Sequence, residues 1–143
     1  MKRFPFVLLV TIGCIAMAGC AGSRPDNLGI SNGKLADCPS SPNCVNSQAE
    51  DEDHRVDPFT YEGSRSNALE RLKTALSTCE QMEIVEEKDN YLHIECTSAV
   101  MGFVDDVEFY FPDEKVIHVR SASRLGYSDL GVNRDRVAYI RAL

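Results

Sequence analysis

Asn90-Tyr91-Leu92-His93-Ile94-Glu95-Cys96-Thr97-Ser98 is the stretch on which the fold turns. Apolar and polar side chains alternate along it. A strand here puts Leu92, Ile94 and Cys96 on one face and Tyr91, His93 and Glu95 on the other. Three more segments read as strands, 82–87, 105–111 and 115–123, divided by the turn-forming Lys88-Asp89-Asn90 and Pro112-Asp113-Glu114. Upstream, Ala68, Leu69, Leu72, Ala75, Leu76 and Cys79 recur at helical spacing, which predicts one apolar stripe on a helix of about fifteen residues starting near Ser64. Downstream, Asn133 suits a helix N-cap, Asp135 the first turn, and Val132 with Val137 a hydrophobic staple. The last helix is therefore expected over residues 134–142. The order helix, four strands, helix predicts an α+β two-layer sandwich, a four-stranded antiparallel meander with both helices packed on one face.

Side-chain parity carries the reading further. The apolar face of strand 90–98 should meet the helical stripe, bringing Cys79 and Cys96 together in the core. If Phe111 and Lys115 flank a three-residue turn, Phe109 pairs with Ile117 and Val107 with Val119 on the core face. The same register sets Glu108 opposite His118 and Asp106 opposite Arg120 on the outer face. That outer face also collects Tyr91, His93, Glu95 and Tyr110. It reads as a solvated sheet face with weak cross-strand ion pairs, or as a binding face with two pH-sensitive histidines.

The N-terminus has the layout of an export signal. Met1-Lys2-Arg3 precedes a mostly apolar run from Phe4 to Ala18. That run is shorter than the ~20 residues a spanning helix needs. It ends in Met17-Ala18-Gly19-Cys20, which resembles the bacterial lipobox. Residues 1–19 are accordingly expected to be a lipoprotein signal peptide, with acyl (palmitate) chains added at Cys20. Ala21, rather than Asp, follows the cysteine, and by resemblance to enterobacterial sorting this favours the periplasmic face of the outer membrane. Residues 20–37, rich in Gly, Ser, Asn and Asp without apolar period, are expected to form a flexible tether. Residues 38–143 are then a single globular domain. No regular element is expected over 38–62, and the acidic Glu50-Asp51-Glu52-Asp53 reads as a solvated loop.

Loss of the signal removes Lys2 and Arg3 and no acidic residue, so the formal net charge falls from −7 to −9. Such a surface repels phosphate backbones, and nucleic acid is excluded as a partner. Membrane attachment must come from the lipid anchor. Four cysteines remain beyond Cys20: Cys38, Cys44, Cys79 and Cys96. In an oxidising compartment they suggest two disulfides, with three pairings open. Cys38 and Cys44 flank a tight Pro-Ser-Ser-Pro-Asn loop, where a local bridge is sterically plausible. The rival is a metal site using Cys38, Cys44 and His54, but the spacing is not that of a zinc knuckle, and no metal or cofactor is expected. For Cys79 and Cys96 the alternative to a bridge is a pair of buried free thiols.

Three segments carry a family resemblance: Cys38-Pro39-Ser40-Ser41-Pro42-Asn43-Cys44-Val45-Asn46-Ser47, Met101 to Glu108, and Val119-Arg120-Ser121-Ala122-Ser123-Arg124-Leu125-Gly126-Tyr127-Ser128-Asp129-Leu130-Gly131-Val132-Asn133-Arg134. Over about residues 35–143 the chain resembles the domain-of-unknown-function family 1499. The resemblance implies a bacterial or plastid protein, often membrane-associated, with no established activity.

The last segment is chemically dense for a connector. Arg120, Ser121, Ser123, Arg124, Asn133 and Arg134 gather between a strand and a helix start, with Arg136 close behind. Guanidinium forks and unpaired helix N–H groups bind anions, so these six are candidate anion-binding residues. Asp105, Asp106 and Asp129 are candidate supporting carboxylates. The competing expectation is an internal network in which Asp105 and Asp106 neutralise Arg120 or Arg124. Gly102, Gly126 and Gly131 read as turn residues. A Ser121 or Ser123, His118, Asp105 or Asp129 set can be assembled on paper as a hydrolase triad. No G-x-S-x-G elbow, H-E-x-x-H or P-loop supports it, and no catalytic residue is assigned. The expected function is a lipid-anchored periplasmic binding or accessory domain, recognising a small anionic group or an envelope protein through residues 120–136. The alternatives are that hydrolase-like enzyme and a purely structural envelope protein.

Overall fold

The computed structural model describes residues 21–143. The segment 1–19 expected to be a signal peptide, and Cys20, lie outside the described residues. Elements run β1 (Cys44–Asn46), β2 (Phe59–Thr60), α1 (Arg65–Leu76), β3 (Met82–Lys88), β4 (Tyr91–Thr97), β5 (Val104–Tyr110), β6 (Val116–Ser123) and α2 (Val132–Ala142). The class is α+β, but the antiparallel sheet has six strands, not four. Its order is β1-β6-β5-β4-β3, and β2 pairs with the first residues of β6. The two extra strands are only two and three residues long. Neither is long enough to show a period, which is why 38–62 read as irregular.

The expected parity holds along β4. Leu92, Ile94 and Cys96 join Val107, Phe109, Ile117 and Val119 in one core with Ala68, Leu69 and Leu76 of α1 and Val137 and Ile140 of α2. Helix α1 begins where its cap chemistry dictates. Ser64, extended and outside the helix, accepts a hydrogen bond from the Asn67 N–H, a cap contributing about 1 kcal/mol. It stops at Leu76, earlier than the stripe suggested.

Strand β6 is displaced by two residues from its expected pairing. Phe109 faces Val119, Val107 faces Ser121, Glu108 faces Arg120 and Tyr110 faces His118. The connection from Phe111 to Lys115 is longer than a three-residue turn. A two-residue displacement changes every partner but leaves each side chain on its own face, because the strand period is two. Helix α2 also starts differently. Gly131, with φ 87°, stands at its N-cap and offers no side chain. Asn133 is buried inside the first turn, and Asp129 does the capping, its carboxylate accepting from the N–H groups of Gly131 and Asn133.

Residues 21–37 are not a free tether. They form a strap along the outer face of the sheet. Arg24 ion-pairs with Glu95, the Gly29 N–H donates to Glu108, and Leu35, 2 % exposed, is pinned through its N–H to Gln48. A tight reversal bridges Ser31 and Lys34. Asn32 and Gly33 form its centre, both with positive φ, as a two-residue hairpin turn requires. Among the described residues, no helix is long and apolar enough to cross a membrane.

Candidate functional site

Beneath the strap, the expected solvated face is a buried polar layer. Tyr91, His93, Asp106, Glu108 and Arg120 are each at most 4 % exposed. Buried charges survive only when paired and hydrogen-bonded, and here each has an oppositely charged or hydrogen-bonding partner, although Nε of Arg120 has none. Glu108 accepts from the Tyr91 hydroxyl at 2.8 Å, the Gly29 N–H at 2.7 Å and the Arg120 guanidinium at 3.2 Å. Asp106 takes a two-pronged bond from Arg124, Nε and Nη2 each at 2.8 Å, and lies 2.8 Å from Nε2 of His93. Arg124 also donates to Glu95 at 2.6 Å, and Arg24 reaches the same carboxylate from the strap.

These contacts set the ionisation of the layer. Burial drives the Asp106 and Glu95 carboxyls upward. The Arg124 hydrogen bonds, helped by His93 on Asp106 and Arg24 on Glu95, outweigh it and hold both below their ordinary values. Asp106 and Glu95 in turn raise the Arg124 guanidinium. Burial, reinforced by the Glu108 charge, raises the Tyr91 phenol. Ligand atoms of His93, Glu95 and Asp106 lie within 4.8 Å of one another, a set able to hold a metal ion. In this structure, Arg124 supplies positive charge to both carboxylates.

A second polar cluster lies on the helix side of the same sheet end. Arg136 donates to Asp105 at 2.6 Å, to Asn133 at 2.6 Å and to Ser121 at 3.1 Å. Asn133 collects Ser121, Ser123, Asp129 and the Asn43 carbonyl. It ties β6, the loop before β1 and the start of α2 together. Burial raises the Asp129 carboxyl, but the N–H groups of Asn133 and Gly131 more than offset this and hold it below the ordinary value. Arg134 is at the surface, donating to the backbone carbonyls of Asp53 and Arg55.

The candidate anion-binding residues therefore fall into two clusters on opposite faces of β6, with Arg134 apart from both. Arg120 and Arg124 belong to the strap side. Ser121, Ser123 and Asn133 belong to the helix side. Each is bonded to protein groups, as in the internal-network reading. The pairings differ from that reading in two respects: Arg120 is matched by Glu108, and Asp105 by Arg136. His118 is likewise separated from Ser121 and Ser123. It stacks on Tyr110 and bonds Ser47 through Nδ1 at 3.1 Å. Burial lowers its basicity. Arg24, Asn43, Ser47 and Arg136 were not foreseen as site residues. The only sequence signal for Arg24 was a cation isolated in an otherwise uncharged or acidic run from Ala21 to Gly33.

Cys38 and Cys44 are disulfide-bonded, which overturns the Cys38/Cys44/His54 metal alternative. His54 bonds Asp51 and the Ser41 carbonyl instead. The Cys79–Cys96 bridge does not form. Helix α1 ends three residues before Cys79, so its thiol leaves the helical stripe and lies 3.6 Å from the Tyr139 hydroxyl. Cys96 stays in the core, where burial pushes its thiol up to about 11. A cleft of about 760 Å³ opens between α1, α2 and β2, lined by Phe59, Leu72, Ile117 and Ile140 among others and by none of residues 120–136.

The fold and the two polar clusters define an α+β domain whose arginine-bearing loop after β6 is built inward, into the molecule's own polar network. Residues 34–143 match a family model described as a protein of unknown function, DUF1499, and the chain belongs to that family. No curated protein and no solved structure matches it.

Proposed function

We propose that the chain is a lipid-anchored accessory domain of the bacterial envelope, acylated at Cys20 and working through a docking surface, with no catalytic centre. One observation carries the docking half of this reading. The loop from Arg124 to Gly131 turns its charges inward and its apolar side chains outward. Arg124 is bound to Asp106 and Glu95, and Asp129 to α2, while Leu125, Tyr127 and Leu130 are exposed. Anion recognition by Arg124 would require its donors to leave Asp106 and Glu95, and the Ser121 or Ser123 hydrolase set would require one of those serines beside His118, whose serine neighbour is instead Ser47. The arrangement favours neither. The anchoring half rests on the Lys2-Arg3, apolar run and Met17-Ala18-Gly19-Cys20 pattern, with Ala21 favouring the outer membrane.

Mass spectrometry of the mature protein from cells tests the anchor. The expected N-terminal residue is Cys20 carrying acyl chains, with Cys20→Ala abolishing acylation. A mature chain that begins elsewhere, or an unmodified Cys20, refutes the anchored reading.

A further inference from the structure

The outward-facing side chains of that loop are part of a larger surface. Of nine large hydrophobic side chains exposed among the described residues, seven lie on or next to two connections at one end of the sheet. Val100, Met101 and Phe103 sit between β4 and β5. Leu125, Tyr127 and Leu130 sit between β6 and α2, and Val132 is the first residue of α2. The two connections are joined by hydrogen bonding from the Arg124 N–H to the Val104 carbonyl. Exposed apolar side chains concentrated at one end of a domain mark interaction sites.

The same connections are nearly devoid of free charge in a chain with 22 acidic residues. Residues 98–103 contain none. Residues 124–131 contain only Arg124 and Asp129, both bound internally as described above. Leu130 adds a backbone observation. It is 93 % exposed and holds a left-handed φ of 56°, a conformation that costs a non-glycine residue energy. The fold accepts that strain while presenting leucine to solvent.

The path of the chain identifies what meets this end. The strap arrives here. A Cβ built on Gly22 would lie 3.0 Å from Cβ of Arg124 and 3.1 Å from Cγ of Leu125. Cys20 is two residues further, within roughly 7 Å of Gly22 even fully extended. We infer that the Val100–Phe103 and Leu125–Val132 loops enter the lipid bilayer that holds the Cys20 acyl chains, seating the domain on its sheet end. The inference rests on the anchored reading above. Aromatic and aliphatic loop tips without free charge suit the boundary between headgroups and acyl chains. The strap, tied down at Arg24 and Gly29, leaves the domain little freedom to turn this end away.

The chain contains no tryptophan, so Tyr127→Trp introduces a single indole at the proposed bilayer contact. The full-length, cell-processed lipoprotein carrying Tyr127→Trp is reconstituted into phosphatidylcholine vesicles with bromine on the acyl chains. A Glu114→Trp variant, with its indole on the β5–β6 loop at the other sheet end, serves as control. The expected result is a blue-shifted, bromine-quenched emission for Tyr127→Trp and unquenched emission for Glu114→Trp. Adding Met101→Asp and Leu130→Asp to the Tyr127→Trp chain should cut the quenching at least severalfold. Acylated Cys20 with an unquenched indole at position 127 overturns bilayer seating and leaves the anchor standing. Equal quenching at both positions also overturns it. Absence of acyl chains on Cys20 overturns the anchored reading, and the seating argument with it.

Discussion

Replacing Arg124 by alanine is the sharpest test of the buried polar layer. The side chain is 6 % exposed and donates three hydrogen bonds, two to Asp106 and one to Glu95. Arg124→Ala leaves Asp106, itself 1 % exposed, with His93 as its sole side-chain partner. Breaking a buried pair by removing one member costs about 3–5 kcal/mol, because the remaining charge is stranded. The loss should depend on pH in a defined sense. Asp106 and Glu95 are held below their ordinary values of 3.8 and 4.5. A carboxyl depressed in the folded state adds stability above its unfolded value, and that stability disappears as pH falls through the folded value. The gap between parent and Arg124→Ala should therefore be widest near neutral pH and narrow as pH falls below about 4. Urea unfolding of residues 21–143 at several pH values between 7 and 3 measures it. A loss under about 1 kcal/mol at pH 7, the range of exposed ion pairs, would refute the buried-network account, as would a gap that does not change with pH.

Two further outcomes follow from the same layer and from the core. Removing residues 21–33 strips Arg24 from Glu95 and the Gly29 N–H from Glu108. Amide hydrogen exchange along β4 should then accelerate, and stability should drop by about 1.5–3 kcal/mol for the lost hydrogen bond to the Glu108 carboxylate; unchanged exchange would mean the strap is dispensable. In residues 21–143, only Cys79 should react with a thiol reagent under native conditions. Cys96, buried and raised to about 11, should react only on unfolding, and Cys38 and Cys44 only after reduction. A thiol count of zero in the denatured, unreduced protein would show that Cys79 and Cys96 do pair.

The α+β class was legible because it rests on periodic signals in the strands and helices. The alternation in β4 is enough to assign Leu92, Ile94 and Cys96 to the core. The apolar stripe from Ala68 placed the start of α1 near Ser64, which the structure shows to be its N-cap. The Arg/Ser-rich segment could be read as either a ligand pocket or an internal network, because sequence states which charges are present and not which ones meet. Deciding that required the register of β6. Its two-residue displacement puts Arg120 on Glu108, and the five-residue loop that sets it carries no single diagnostic turn.

The strap was the largest departure, and its cause is physical. Local sequence determines periodicity, caps and turns, since these depend on neighbours within a few residues. Residues 21–37 have no apolar period, so by composition they are a tether. They are held by long-range polar contacts, Arg24 to Glu95 across 71 positions and Gly29 to Glu108 across 79. Such contacts exist only once the sheet has formed. By itself the sequence determined which side chains share a face of each strand. Tertiary structure decided that the charged face is covered, that its carboxylates are matched by arginines from the strap, from β6 and from the loop after it, and that Gly22 at the start of the strap lies against Leu125 of the apolar loop.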